Sequence, residues 1–157
     1  MPTQFINYLT IENIYLWTNF SIIPFWLMLI IIPNSKFTQV LVNTVILPLI
    51  LSSIYLYVLF QMVVTEMTIL EVLKLYVSLD NLYALFATES FLTIFWLHFV
   101  SLNLFLGLWV ARDGYKYNIP KSVVFFPLVL IYFTGPLGIV LHWLVKIFYG
   151  KRITFHD

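Results

Sequence analysis

Apolar positions along the chain gather into four long stretches, at about residues 14–32, 40–64, 89–111 and 123–148. Each holds roughly 20 helical residues, enough to match the hydrocarbon thickness at about 1.5 Å per residue. Polar and helix-stopping clusters separate them: Pro33-Asn34-Ser35-Lys36, Thr65-Glu66, Arg112-Asp113-Gly114 and Pro120-Lys121, with Tyr149-Gly150-Lys151-Arg152 at the end. The connection between the first two stretches is short and predicts an antiparallel helical hairpin. Between the second and third lies a segment of about residues 67–86. Its polar residues Glu71, Lys74, Ser78 and Asn81 recur at spacings of three and four and so share one helical face. That pattern fits a helix lying in the membrane interface better than a fifth span. The expected fold is all-α: a polytopic membrane protein of four transmembrane helices plus an interfacial helix, a single domain over residues 1–157.

Composition agrees. The 157 residues are 62% hydrophobic and 10% charged, against about 25% charged for a soluble globular chain. The expected surroundings are the lipid bilayer, crossed several times, and the length leaves no room for a separate catalytic module. Eight Lys and Arg, scattered in ones and twos, form no patch for a run of phosphates, which argues against a nucleic-acid partner. There is no Cys, so disulfides, iron–sulfur clusters and thiolate zinc sites are excluded. No Lys or Arg precedes the first stretch, which therefore reads as a retained span rather than a cleaved leader. With four spans, Lys74, Lys146, Lys151 and Arg152 fall on one side and Lys36, Arg112, Lys116 and Lys121 on the other. The positive-inside rule then has no asymmetry to act on. Phe alone occurs 15 times, as lipid-facing bulk or as walls of a groove for a long apolar ligand.

Polar residues inside a span are costly and mark packing or function. The third stretch is the richest. At 100° per residue, Glu89, Thr93, Trp96, Asn103 and Gly107 fall on one face and His98, Ser101, Phe105 and Arg112 on the other. A helix polar on two sides is expected at the centre of the bundle. In the fourth stretch Thr134, Gly138 and His142 lie four apart on one stripe, and Gly135-Pro136-Leu137-Gly138 is expected to break or bend the helix just before His142. Were His142 to face His98, the two imidazoles would share a buried polar site. Pro24 and Pro48 are expected to kink the first and second spans, and Pro127 and Pro136 the fourth. Three widely spaced His do not make the clusters of a membrane di-iron enzyme, and no metal site is expected. Phosphate-cradling glycine loops and a GxSxG nucleophile elbow are absent.

Three local patterns, in order, resemble the abscisic acid-deficient protein 4-like family. The first is Asn19 followed by Pro24-Phe25-Trp26-Leu27-Met28 and Pro33. The second is Trp96-x-His98, then Asn103-Leu104-Phe105, Gly107, Trp109 and Asp113-Gly114. The third is Gly135-Pro136-Leu137-Gly138-Ile139-Val140, then His142 and Lys146. The resemblance implies a four-span membrane protein of carotenoid metabolism. Plant members are needed to make neoxanthin from violaxanthin, an isomerisation that opens an epoxide and removes a neighbouring proton. Such a step needs an acid and a base but no redox cofactor. The resemblance therefore implies a carotenoid-like polyene as ligand and His98, His142 and Glu89 as proton carriers. Trp96, Asn103, Phe105, Trp109, Thr134 and Gly138 would line the ligand site. The chain departs from the family pattern at Asn103, where Asp is usual, and at Leu108, where Arg is frequent. The competing reading is a non-catalytic carrier of pigment or lipid, or a small subunit of a membrane complex or oligomer.

Overall fold

The computed structural model describes residues 9–33, 35–42 and 46–150. Its elements are α1 (Ile11–Ile31), α2 (Lys36–Val42), α3 (Ile46–Thr65), α4 (Ile69–Leu73), a 3-10 turn (Lys74–Tyr76), α5 (Leu79–Phe86), α6 (Glu89–Lys116), α7 (Lys121–Thr134) and α8 (Pro136–Gly150). No strand occurs among the described residues. The fold class is thus all-α. Helices α1 and α6 are long and apolar enough to cross a membrane, and a third crossing is reached if Leu49–Thr65 is counted with Ile69–Tyr76, to which it is bent by 109°.

The chain divides into two compact units, Met1–Ser21 with Leu49–Phe99, and Ile22–Pro48 with Val100–Asp157. In the first unit, Ile14, Val58, Met62, Leu85, Phe91, Ile94 and Leu97 form a buried apolar cluster. Phe86 lies edge-on to Phe91 and Phe95, and the buried Ser90 hydroxyl donates to the Glu66 carboxylate. Trp96 is fixed by its indole N–H, which donates to Asn19 Oδ1 at 2.9 Å.

The segment expected as one helix over about 67–86 is two short helices joined by the 3-10 turn. Local chemistry explains both starts. Thr68 and Glu71 form a reciprocal capping box at α4, and the Ser78 hydroxyl accepts from the Asn81 N–H to begin α5. A side chain that caps a new helix cannot also sit inside the old one, so the single amphipathic stripe is interrupted at Ser78. Leu70, Tyr76, Val77, Leu79 and Tyr83 are left exposed.

The second unit corrects the expected fourth span. Residues 123–148 are not one helix. Gly135 adopts φ +64, where a side chain is strained, and Pro136 has no N–H to continue the ladder. The chain then reverses. Going down α7, Val124 packs at Gly114 and the tip at Gly135 meets Asn103, so α7 runs antiparallel to α6. Coming back, His142 and Lys146 on α8 reach Asp113, so α8 runs parallel to α6. Gly138 permits the two arms to touch: a Cβ there would stand 2.5 Å from the Ile131 N and the Pro127 carbonyl O. Helices α7 and α8 have 14 and 15 residues, each about 21–22 Å long and short of the roughly 30 Å hydrocarbon core. They form a helical hairpin with its tip at Gly135. On the same unit Trp26 is buried against Gly107, whose missing side chain admits the indole, and meets Tyr132 edge-on at 5.4 Å.

Candidate functional site

The polar heart of the second unit is built from two stripes of residues at helical spacing. Trp109, Asp113 and Tyr117 lie four apart near the end of α6, and His142 and Lys146 lie four apart on α8. The hairpin brings the stripes together. Asp113 Oδ2 sits 2.8 Å from His142 Nε2, and Lys146 Nζ donates to Asp113 Oδ1 at 3.3 Å. The Lys146 ammonium also stands 4.4 Å from the centre of the Tyr117 ring. Trp109 meets the His142 imidazole nearly edge-on at 5.7 Å. The residues are 0% (His142), 2% (Lys146) and 9% (Asp113) exposed. One negative and one positive charge are thus buried side by side, with an imidazole on the carboxylate's other oxygen.

Two polar atoms here have no hydrogen-bond partner among the described residues: His142 Nδ1 and Asn103 Nδ2. With Nε2–H donating to Asp113, the Nδ1 of His142 carries a lone pair and is a proton acceptor. Asn103 is 4% exposed, and its Oδ1 occupies the space a Gly135 side chain would need, 2.6 Å from that Cβ position. Its amide therefore sits at the hairpin tip with N–H groups to offer an acceptor.

The other sequence candidates are dispersed. Gly138 is the contact between the hairpin arms. Thr134 is exposed and turns its hydroxyl back to the Leu130 carbonyl at 2.7 Å. Phe105 is exposed. Glu89, Trp96 and His98 belong to the first unit, and Glu89 and His98 are exposed there. His142 takes Asp113, not a second imidazole, as its partner.

Sequence reasoning passed over Asp113 and Lys146 as site residues. By hydropathy Asp113 falls in the cluster that ends a span near 111, whereas α6 continues to Lys116 and carries Asp113 within it. The signal was nonetheless present: His142 and Lys146 at i, i+4 form a basic stripe needing an acidic partner, and Asp113 shares a face with Trp109.

Comparison with the curated proteins and with the solved structures gives no match. The family model described as ABA DEFICIENT 4-like matches residues 13–142, a stretch that includes Asn103, Asp113 and His142, and the chain belongs to that family.

Proposed function

We propose that this chain is a multi-pass membrane protein of carotenoid metabolism that binds a carotenoid-like polyene and isomerises it by proton transfer. The observation that carries the proposal is the buried His142, held at Nε2 by Asp113 and unpartnered at Nδ1. A neutral imidazole positioned by a carboxylate is a general base. Asp113 accepts from Lys146 on one oxygen and faces His142 Nε2 with the other, an arrangement that keeps the Nε2–H tautomer in place. Opening an epoxide to an allene is proton-neutral overall. Nδ1 removes the proton from carbon, and the C–H electron pair forms the new C=C bond as the neighbouring C–O bond of the epoxide breaks. The resulting alkoxide takes one proton back from the imidazolium, directly or through water, so no redox cofactor enters. The Asn103 amide, whose N–H groups face no acceptor, would hold a ligand oxygen at the hairpin tip.

The membrane arrangement supporting this reading has α1, α3 and α6 as crossings, with α7 and α8 entering and leaving on one side. Irregular backbone at membrane depth is tolerated where protein buries it, as at Gly135. Charge then becomes asymmetric. Lys74 lies between the second and third of these crossings in sequence, whereas Lys36 lies between the first and second and Arg112, Lys116, Lys121, Lys146, Lys151 and Arg152 lie at or beyond the end of the third. The positive-inside rule places the Lys116–Lys121 turn on the positive side.

A second reading, binding without conversion, is favoured by Asn103 and Leu108, which supply neither the acid nor the base usual at those family positions. One experiment addresses both. The protein is expressed in a host accumulating epoxidised carotenoid, and pigments are separated by chromatography from cells and from protein purified in mild detergent. A new isomer of unchanged mass, lost in His142→Ala and Asp113→Asn, supports catalysis. Pigment that co-purifies unchanged supports binding alone. Loss of conversion in His98→Ala or Glu89→Gln would keep those residues as proton carriers.

A further inference from the structure

A cavity of about 520 Å3 opens in the first unit between the first turns of α1 and α6. Its walls include Glu12 and Tyr15 from α1 and Glu89, Leu92, Thr93 and Trp96 from α6. The spacings explain the shared wall: Glu12 and Tyr15 are three apart, and Glu89, Thr93 and Trp96 lie at four and three.

The chemistry of this wall is one-sided. Glu12 and Glu89 are exposed and form no ion pair among the described residues. The unit's one Lys or Arg, Lys74, acts on Glu71 within its own helical segment. Two carboxylates near helix N-termini are by themselves a favourable end arrangement, and alone would call for no ligand. Thr93 adds a second observation. It is only 5% exposed yet lines the cavity, and its hydroxyl makes no hydrogen bond among the described residues. The aromatic rings add a third. Trp96 has its N–H committed to Asn19 Oδ1, so toward the cavity it offers ring surface rather than a donor. Tyr15 lies 5.9 Å away, tilted by 50°, making a wedge of two rings.

Two negative charges, two electron-rich rings and one hydroxyl select against an anion and favour a cation with apolar surface. We propose that the cavity walled by Glu12, Tyr15, Glu89, Thr93 and Trp96 binds an alkylammonium group. Glu89 is a charge anchor in this site. The group comes from a zwitterionic lipid headgroup or from a free amine, since the first turns of two span-length helices lie where lipid headgroups meet water. The site is independent of the His142 cluster and stands whether or not the polyene is converted.

The test uses the whole protein in a neutral maltoside detergent, titrated with choline chloride against matched sodium chloride, reading tryptophan emission. Choline is expected to give a saturable change that sodium does not. Glu12→Gln with Glu89→Gln should weaken it about tenfold, and Trp96→Phe should remove most of the signal. Both glutamates are exposed, so the double variant should elute and melt as the parent does. Repetition in discs of phosphatidylcholine and of phosphatidylglycerol separates the sources. Loss of the choline response only in phosphatidylcholine identifies the lipid headgroup, and equal responses identify a free amine. A response of the same size for sodium, or one unchanged in the double glutamine variant, overturns the proposal.

Discussion

Removing the Asp113 carboxylate tests whether the buried charge cluster holds the hairpin against α6. At 3.3 Å, the Asp113–Lys146 pair has a direct attraction of about 5 kcal/mol at an effective dielectric near 20. Burying each ion costs several kcal/mol in return, so the net worth of the pair is far smaller than its Coulomb energy. Breaking it from one side is different. Asp113→Asn leaves the Lys146 ammonium 2% exposed with the Tyr117 ring as its remaining described neighbour of opposite character, and should cost about 3–5 kcal/mol. Lys146→Met with Asp113→Asn removes both charges and keeps the volume, and should recover most of that loss. Thermal or denaturant unfolding in one detergent, followed for the parent, both single variants and the double variant, yields the coupling energy. Additive single effects, or a loss below about 1 kcal/mol for Asp113→Asn, would refute the buried pair.

Three further outcomes follow from the same geometry. Gly138→Val should separate the hairpin arms, because the Ile131 N and Pro127 carbonyl O at 2.5 Å are backbone and cannot swing aside; a loss of at least about 1–3 kcal/mol is expected in the same unfolding assay, and a neutral effect contradicts the hairpin. The Glu71 carboxyl is held below its usual range by the Thr68 backbone N–H and hydroxyl. The stability it lends to α4 is therefore fully present above the ordinary carboxylate pKa and lost as pH falls through the lowered value; amide exchange at Thr68 should show that acid-side loosening, and Glu71→Gln should abolish it. Because the chain has no Cys, single cysteines at Glu89 and at Ser122 can be labelled with a membrane-impermeant maleimide, and the two ends of α6 should react from opposite sides. A third cysteine at Phe148 should react from the side of Ser122, whereas four complete spans would place it with Glu89.

The long helices were legible because hydropathy over about 20 residues reports the capacity to cross a bilayer. Helices α1 and α6 follow directly from it, and Pro33 and Thr65-Glu66 mark real ends. The direction of the chain after Gly135 was not legible, since hydropathy measures length and not heading. A glycine and a proline announce a break there, but only the approach of Gly138 to Pro127 and Ile131, and of His142 to Asp113, turns a kink into a reversal. The same reversal decided the site. His142 stood out as a buried polar residue from sequence, while Asp113 looked like a span terminus because its carboxylate makes sense inside a helix only beside Lys146. Ser78 gave a parallel lesson, being read as part of an amphipathic stripe when its hydroxyl begins a helix.

The central claim is that His142, oriented by Asp113, is the base in a polyene isomerisation. Its most direct measurement is pigment chromatography of a host accumulating an epoxidised carotenoid, comparing the parent protein with His142→Ala at equal membrane abundance. The account predicts an isomer of unchanged mass with the parent and none with His142→Ala. An unchanged pigment pool in both, or full conversion by His142→Ala, would contradict it.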